Sequence, residues 1–239
     1  MGIVSNHRPD EASGTHTQAS RIGSATASPS DGRIITRALG RQAYEPVWQV
    51  MREFTATRSA EAADELWWLE HEPVYTLGKA GRMAHLHDAC GTPVVVSDRG
   101  GQVTWHGPGQ LIVYTLLDLR RLGLTARGAV SLLEDAVVAA LAGAGIAAAA
   151  RADAPGVYVD GAKIASLGLR VSRGCCYHGL ALNVDCDLAP FSRIDPCGMA
   201  GLAMTRTADR GCADSVADWA ARVIDALTAR IAARGRVAA

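Results

Sequence analysis

An Asp-Gly pair lies between two runs of β-forming residues, and it restricts the fold more than any other short segment of the chain. Asp160 and Gly161 separate residues 156–159 (Gly-Val-Tyr-Val) from residues 162–166 (Ala-Lys-Ile-Ala-Ser). Both central residues of a type I′ turn need a positive φ, and Asp-Gly is a preferred pair there, so the segment predicts a tight β-hairpin. Because a two-residue turn joins antiparallel strands, a doubly wound parallel sheet is disfavoured.

Helical and strand-like patterns alternate along the rest of the chain. Residues 46–54 carry apolar side chains at helical spacing, and two further helices are predicted near residues 126–142 and 215–233. Their predicted inner faces are Val47, Val50, Met51 and Phe54; Val130, Leu133, Val137 and Leu141; and Val216, Trp219, Val223, Leu227 and Ile231. Strands are predicted at residues 66–70, 74–77, 94–96, 112–117 and 180–184, with residues 94–96 expected to be buried. The mixed order predicts an α+β fold with a mixed, largely antiparallel sheet and packed helices.

Composition divides the chain into a tail and one domain. Residues 1–32 are rich in serine, threonine, glycine and alanine with few large apolar side chains, which predicts a disordered N-terminal tail. An organelle transit peptide is the alternative, but Asp10, Glu11 and Asp31 argue against it. Residues 33–239 have ordinary globular usage and a length that suits a single domain.

Charge, hydropathy and cysteine usage exclude several classes of protein. The chain has 24 basic and 24 acidic residues, and a formal net charge of zero predicts no nucleic-acid partner. No apolar run approaches the roughly 20 residues of a membrane helix, so we expect no membrane association. The six cysteines include no CxxC pair, which predicts a cytoplasmic protein with reduced thiols. Histidines and cysteines at residues 85–90 and 175–178 lack the spacing of a zinc site, so no metal is predicted.

Residues 98–110 combine four glycines with polar and aromatic side chains. Glycine permits the backbone to approach another group closely. Arg99, Thr104, Trp105 and His106 in the same segment favour a site for a polar acyl head group, although an ordinary turn would show the same glycine content. The segment lacks the Gly-Lys-Ser/Thr sequence of a P-loop.

Two further residues are candidates for chemistry. Cys197 lies between Pro196 and Gly198, which favours an exposed and rigidly held thiol over a buried structural cysteine. Lys163 directly follows the hairpin turn in an otherwise apolar strand. It is either a solvated charge at the sheet edge or a partner of the thiol, because a neighbouring ammonium stabilises a thiolate. A serine hydrolase is disfavoured because no Gly-x-Ser-x-Gly sequence occurs.

Four motifs in this order resemble those of the octanoyltransferases of lipoate assembly. They are residues 99–110, 163–168, 178–183 and 196–198, and the resemblance extends over roughly residues 34–230. It implies a biotin/lipoate-protein ligase-like fold, an acyltransferase catalytic domain at residues 33–239, no cofactor, Cys197 as the nucleophile and Lys163 as its partner. The acyl-binding residues implied are Arg99, Gly100, Gly101, Gln102, Val103, Thr104, Trp105, His106, Ser166, Leu167, Gly168, Gly179, Leu180 and Ala181.

The resemblance also implies the substrates. The donor would be octanoyl-acyl carrier protein, and a thioester on the cysteine would carry the octanoyl group. The acceptors would be lysines on lipoyl domains, in the E2 subunits of 2-oxoacid dehydrogenases and in the glycine cleavage H protein.

Two alternatives stay open at this point. An ATP-dependent lipoate or biotin ligase would share the fold but would use an acyl-adenylate and need no cysteine nucleophile, which the Pro196-Cys197-Gly198 context disfavours. A non-catalytic module that binds lipoyl domains would need no reactive thiol.

Overall fold

The computed structural model describes residues 34–235, which form ten strands and three α-helices. The helices are α1 (Tyr44–Thr57), α2 (Ala126–Gly143) and α3 (Val216–Gly235). The strands are β1 (Ile35–Gln42), β2 (Glu65–His71), β3 (Val74–Leu77), β4 (Val94–Val96), β5 (Val103–His106), β6 (Gln110–Asp118), β7 (Ala149–Ala150), β8 (Val157–Val159), β9 (Ala162–Ser172) and β10 (Cys175–Asn183). The tail predicted at residues 1–32 lies outside the described residues.

The strands form two sheets. The larger sheet has the order β1-β2-β6-β10-β9-β8-β7, and every neighbouring pair in it is antiparallel except β1 with β2. The smaller sheet has the order β4-β3-β5, with β3 parallel to β4 and antiparallel to β5. The predicted α+β class with a mixed, largely antiparallel sheet is therefore confirmed.

The predicted hairpin joins β8 to β9. Asp160 and Gly161 have φ values of 49° and 82°, the positive values that the turn requires. The register pairs Lys163 with Tyr158 on β8. On its other side, the backbone of Lys163 exchanges hydrogen bonds with Ala203 and Thr205, at 2.8 and 2.9 Å. The segment that follows Cys197 therefore pairs directly with the strand that carries the lysine.

Helices cover the larger sheet on two sides. Leu133, Val137 and Leu141 of α2 pack with α3 and the sheet in one apolar cluster, to which the indole of Trp219 also belongs. Val47 and Met51 of α1 belong to a second cluster, formed with residues of β2, β6 and β10. Val130 and Val216, predicted to face inward, are only partly buried.

One predicted burial is wrong. Residues 94–96 do form a strand, but Val94 and Val96 are 37% and 72% exposed. The reason is topological, because β4 is an edge strand of the small sheet and pairs with β3 alone. Within residues 34–235, no helix combines the length and apolarity needed to cross a bilayer.

Candidate active site

A cavity lies beside the short turn that contains Cys197. Its walls come from the glycine-rich segment before β5, from β5 itself, from β6, and from the central parts of β9 and β10. The lining residues are Tyr44, Arg99, Gly101, Gln102, Val103, Thr104, His106, Ile112, Tyr114, Lys163, Ser166, Leu167, Gly168, His178, Gly179, Leu180, Ala181, Pro196 and Cys197. Residues far apart in sequence therefore meet around one thiol.

Two of the residues implied as acyl-binding do not line the cavity. Trp105 packs against Phe191 in the core of the small sheet, with ring centroids 5.7 Å apart. Side chains alternate along a strand, so Trp105 points away from the face that its neighbours Thr104 and His106 present to the cavity. Gly100 donates its N–H to the carbonyl of Leu169 at 3.0 Å and so joins the loop to β9.

Close backbone packing explains one of the cavity glycines. A Cβ built on Gly168 would lie 2.8 Å from the carbonyl oxygen of Gly100, too close for any real side chain. Glycine at this position therefore allows β9 and the glycine-rich loop to form one continuous wall.

Five lining residues were missed by sequence reasoning. Ile112 and Tyr114 lie in a predicted strand, and Tyr44 lies two residues before a predicted helix; all three reach the site through long-range packing, which no local pattern indicates. His178 stands at the start of a motif that was recognised, and Pro196 directly precedes the cysteine. Proximity to these motifs is the signal that would have identified the last two.

Cys197 occupies an unusual backbone conformation. Its φ and ψ are 60° and 15°, in the left-handed region, and Gly198 follows with a φ of 71°. Such a conformation in a non-glycine residue costs on the order of 1–3 kcal/mol and persists only when the surroundings hold it. The N–H of Gly198 closes the turn by donating to the carbonyl of Asp195 at 2.9 Å. The thiol is consequently held in a fixed position and remains partly exposed.

Lys163 lies directly against this thiol. Its Nζ donates to Cys197 Sγ at 2.8 Å and to the carbonyl of Pro155 at 2.9 Å, and it sits 5.5 Å from the ring centroid of Tyr158. The side chain is only 1% exposed. No carboxylate of residues 34–235 forms an ion pair with it. Since a buried charge needs an opposite charge or good acceptors, the thiolate of Cys197 is the natural counter-ion of this ammonium.

The backbone at Gly156 makes room for the lysine. Its φ is 146°, and a Cβ added there would lie 2.5 Å from Lys163 Cε. Its N–H donates to Glu134 Oε1 at 2.9 Å, in buried surroundings. Helix α2 therefore anchors the segment whose preceding residue, Pro155, accepts a hydrogen bond from the lysine.

Arg99 is a structural centre of the glycine-rich loop. Its guanidinium donates to both oxygens of Thr76 and to the carbonyls of Gly100 and Gln102, at 2.6–3.0 Å. The side chain is buried, and burial lowers the pKa of this arginine. Its hydrogen bonds go to the protein itself, so its geometry fits a role in shaping the loop better than one in holding a substrate head group.

Two buried histidines, His106 and His178, line the cavity, and a third, His71, contacts the lining residue Tyr114. Burial lowers the pKa of His71 to about 4, and it also lowers the pKa values of His106 and His178. His71 Nε2 lies 2.6 Å from the hydroxyl of Tyr114, and His178 Nε2 lies 2.9 Å from Asp98 Oδ1. Because burial disfavours their charged forms, His106 and His178 can border an apolar chain without a large desolvation cost.

The arrangement as a whole suits nucleophilic acyl transfer. A thiolate is a strong nucleophile, and an adjacent ammonium both stabilises it and can deliver a proton to a leaving group. The apolar walls formed by Ile112, Leu167, Leu180 and Ala181 suit an alkyl chain.

Sequence comparisons identify the family. The family model described as "Lipoyl protein ligase A/B catalytic domain" matches residues 43–228. The chain is 59% identical over 198 residues to an octanoyltransferase from Methylococcus capsulatus, covering 83% of this chain and 96% of that protein. It is 64% identical over 178 residues to an octanoyltransferase from Halorhodospira halophila, covering 74% of this chain and 82% of that protein.

A structural comparison agrees with the sequence. The crystal structure of lipoate-protein ligase A bound with ATP superposes with a TM-score of 0.66 at 13% identity, covering 86% of this chain and 93% of that one. At such low identity the likeness concerns the fold alone, and it confirms the predicted ligase-like fold. Together with the two close relatives, it establishes that the chain belongs to the lipoyl protein ligase A/B catalytic domain family and, within it, to the octanoyltransferases, which are acyltransferases.

Proposed function

We propose that the protein moves an octanoyl group from octanoyl-acyl carrier protein to the ε-amine of a lysine on a lipoyl domain, through a thioester on Cys197. The observation that carries the proposal is the 2.8 Å contact between Lys163 Nζ and Cys197 Sγ beside a partly apolar cavity. The names of the close relatives support the octanoyl group as the cargo.

The first step forms the acyl-enzyme. The Cys197 thiolate attacks the thioester carbonyl, a new S–C bond forms, and the bond to the carrier's sulfur breaks. The departing carrier thiolate takes a proton from the Lys163 ammonium, which lies at the nucleophile and is well placed to supply it. The step leaves an octanoyl thioester on Cys197 and a neutral Lys163.

The second step transfers the acyl group. The amine of the acceptor lysine attacks the Cys197 thioester, an amide bond forms, and the S–C bond breaks. Neutral Lys163 takes one proton from the amine and the thiolate is restored. Because a thioester is converted into an amide, the reaction runs downhill without ATP.

The backbone groups near the thiol differ in what they can offer the tetrahedral intermediate. The N–H groups nearest to the thiol along the chain are those of Cys197 itself and of Gly198. That of Gly198 donates to Asp195 within the turn. The N–H of Cys197 is therefore the better candidate of the two, and a single such donor typically contributes about 10²–10³ in rate.

Intact-mass measurement tests the proposal directly. Wild-type protein incubated with octanoyl-carrier protein should gain the mass of one octanoyl group on Cys197, and adding a lipoyl domain should remove it. Cys197→Ser should gain no octanoyl group, because a serine hydroxyl is not ionised near neutral pH. Cys176→Ser, which alters a fully buried thiol outside the cavity, is the matched control and should acylate normally.

The same assay separates the two alternatives. An ATP-dependent ligase would form product only when ATP is added, whereas the proposed transferase needs none. A non-catalytic module would bind the lipoyl domain and gain no acyl group. Absence of the acyl-enzyme in wild type would overturn the proposal.

A further inference from the structure

Transfer to a lysine releases more protons than one base can take. A lysine amine is mostly protonated at neutral pH, so it arrives as an ammonium with three N–H bonds. The amide product keeps one of them, and two protons must therefore leave. Under the proposed function, Lys163 takes only one.

Lys163 is also shielded from solvent. It is 1% exposed, and its donors already point at Cys197, Pro155 and the ring of Tyr158. It therefore cannot pass its proton to solvent and accept another within a single turnover. The second proton therefore has to reach water by another route, either directly or through a side chain that exchanges protons with solvent.

A His-Asp pair lies beside the turn that carries Cys197. His85 Nδ1 lies 3.0 Å from Asp195 Oδ2, and Asp195 is two residues before Cys197. The two backbones are joined as well, because the N–H of Asp195 donates to the carbonyl of His85 at 2.9 Å. The imidazole Nε2 faces the turn, since a Cβ built on Gly198 would lie 3.6 Å from it.

The hydrogen bond to Asp195 fixes which ring nitrogen is basic. A carboxylate only accepts, so Nδ1 of His85 carries the proton and Nε2 is left with a free lone pair. The pKa of Asp195 is held below its ordinary value by hydrogen bonds from His85 and His87, so the carboxylate stays charged and can stabilise an imidazolium. The His85 side chain is 25% exposed, which allows exchange with water.

We propose that His85, oriented by Asp195, accepts the second proton of the incoming lysine amine during transfer from Cys197. One N–H proton passes to Lys163, the other passes to His85 Nε2 and then to water, and the third stays on the amide. The S–C bond to Cys197 breaks as the amide C–N bond forms, and the electron pair returns to sulfur. The inference rests on the proposed function and adds a residue that acts only in its second step.

The test compares two acceptor amines in separated half-reactions. Isolated octanoyl-enzyme is mixed with a lipoyl domain or with hydroxylamine, which is neutral near neutral pH and sheds only one proton when it forms a hydroxamate. His85→Gln keeps a side chain that can bond to Asp195 but removes the basic nitrogen. His87→Gln is the matched control, because His87 also bonds to Asp195, at 3.0 Å, but is more exposed.

We expect His85→Gln to acylate at the wild-type rate and to react with hydroxylamine at the wild-type rate. Transfer to the lipoyl domain should slow about 10²-fold, the lower end of the usual contribution of a general base. His87→Gln should leave all three rates unchanged.

Three results would overturn the inference. The first is wild-type transfer to the lipoyl domain by His85→Gln, and the second is an equal loss with both amines. The third is a comparable loss of acylation, which would mean that His85 only supports the turn. In each of these cases the wild-type enzyme would still form its thioester and transfer the acyl group. The proposed function is tested by those wild-type reactions, so its failure can be distinguished from failure of the inference about His85.

Discussion

At the scale of single residues, the candidate site contains a buried lysine that forms no ion pair with any carboxylate of residues 34–235. Lys163 is enclosed by a thiol, a carbonyl and an aromatic face. A lone buried charge is costly, and the cost is reduced when Cys197 is ionised. The contact with Cys197 Sγ therefore belongs to the small set of interactions that make burial of this lysine tolerable.

Substitutions of Lys163 should separate its two proposed roles. Lys163→Met keeps most of the stem volume and removes the charge, so both acylation and transfer should slow by at least about 10²-fold. Lys163→Arg keeps the charge but is not a base near neutral pH, so it should acylate partly and then accumulate the thioester. The measurements are the rate of alkylation of Cys197 by iodoacetamide against pH, and acyl-enzyme followed by mass. An alkylation profile that is unchanged in Lys163→Met would show that the lysine does not support the thiolate.

Gly156→Ala should displace the lysine without touching the cysteine. The new Cβ would meet Lys163 Cε at 2.5 Å, and a misplacement of about 1 Å can cost on the order of 10²-fold in rate. Gly161→Ala is the matched control, because its φ is also positive but no atom lies within 4 Å of the added Cβ. The control should lose some stability and retain turnover. Equal turnover in the two variants would contradict this account.

At the scale of elements, the reactive pair is held by structures that converge from three parts of the chain. Strand β9 carries the lysine, the turn at residues 196–198 carries the cysteine, and α2 anchors the backbone at Gly156. The chain that leaves the cysteine turn then pairs with β9 at Lys163. Each element therefore limits the movement of another.

Variants of Glu134 should reveal the contribution of α2. Glu134→Ala leaves the buried N–H of Gly156 without its acceptor, which should cost about 1–3 kcal/mol in the free energy of unfolding. It should also slow acylation, because Pro155 and the lysine lose their anchor. Glu134→Gln retains an acceptor oxygen and should stay close to wild type in both respects. Urea unfolding and the alkylation rate of Cys197 are the readouts. A Gln variant as impaired as the Ala variant would mean that the charge matters, and not the hydrogen bond.

At the scale of the whole molecule, the buried histidines link stability to pH. The pKa of His71 is about 4 in the folded protein because burial disfavours its charged form, whereas the ordinary value is 6.5. Between these values the unfolded chain binds more protons, so stability is lost as the pH falls below 6.5 and is complete above it.

His71 alone should therefore make the fold sensitive to mild acid. Its contribution between about pH 7 and pH 5 should be roughly 2 kcal/mol. Urea unfolding of wild type and His71→Gln at both pH values measures it, and the difference between the two proteins should shrink or reverse at the lower pH. A difference that does not change with pH would show that His71 does not titrate in this window.

The sequence predicts the elements better than it predicts their surroundings. Helices α1 and α2 and the β8–β9 hairpin follow from periodicity and turn chemistry, which are local. The exposure of Val96 and the arrival of Tyr44 and Tyr114 at the cavity depend on strand order and long-range packing, which no local pattern contains. The pairing of Lys163 with Cys197 came from the family resemblance, because a separation of 34 positions places no constraint that spacing alone reveals.

The order of strands in the large sheet has a consequence for how the protein must fold. Strand β6 pairs with β10 across more than fifty intervening residues, whereas β8, β9 and β10 pair with one another through short turns. Contacts this distant in sequence slow folding, because the entropy of loop closure is lost before the contacts form. The contact between Lys163 and Cys197 also joins positions 34 apart, so it too requires closure of a long loop. A partly folded chain therefore lacks this contact, and the proposed nucleophile gains its lysine partner only after the loop between them has closed.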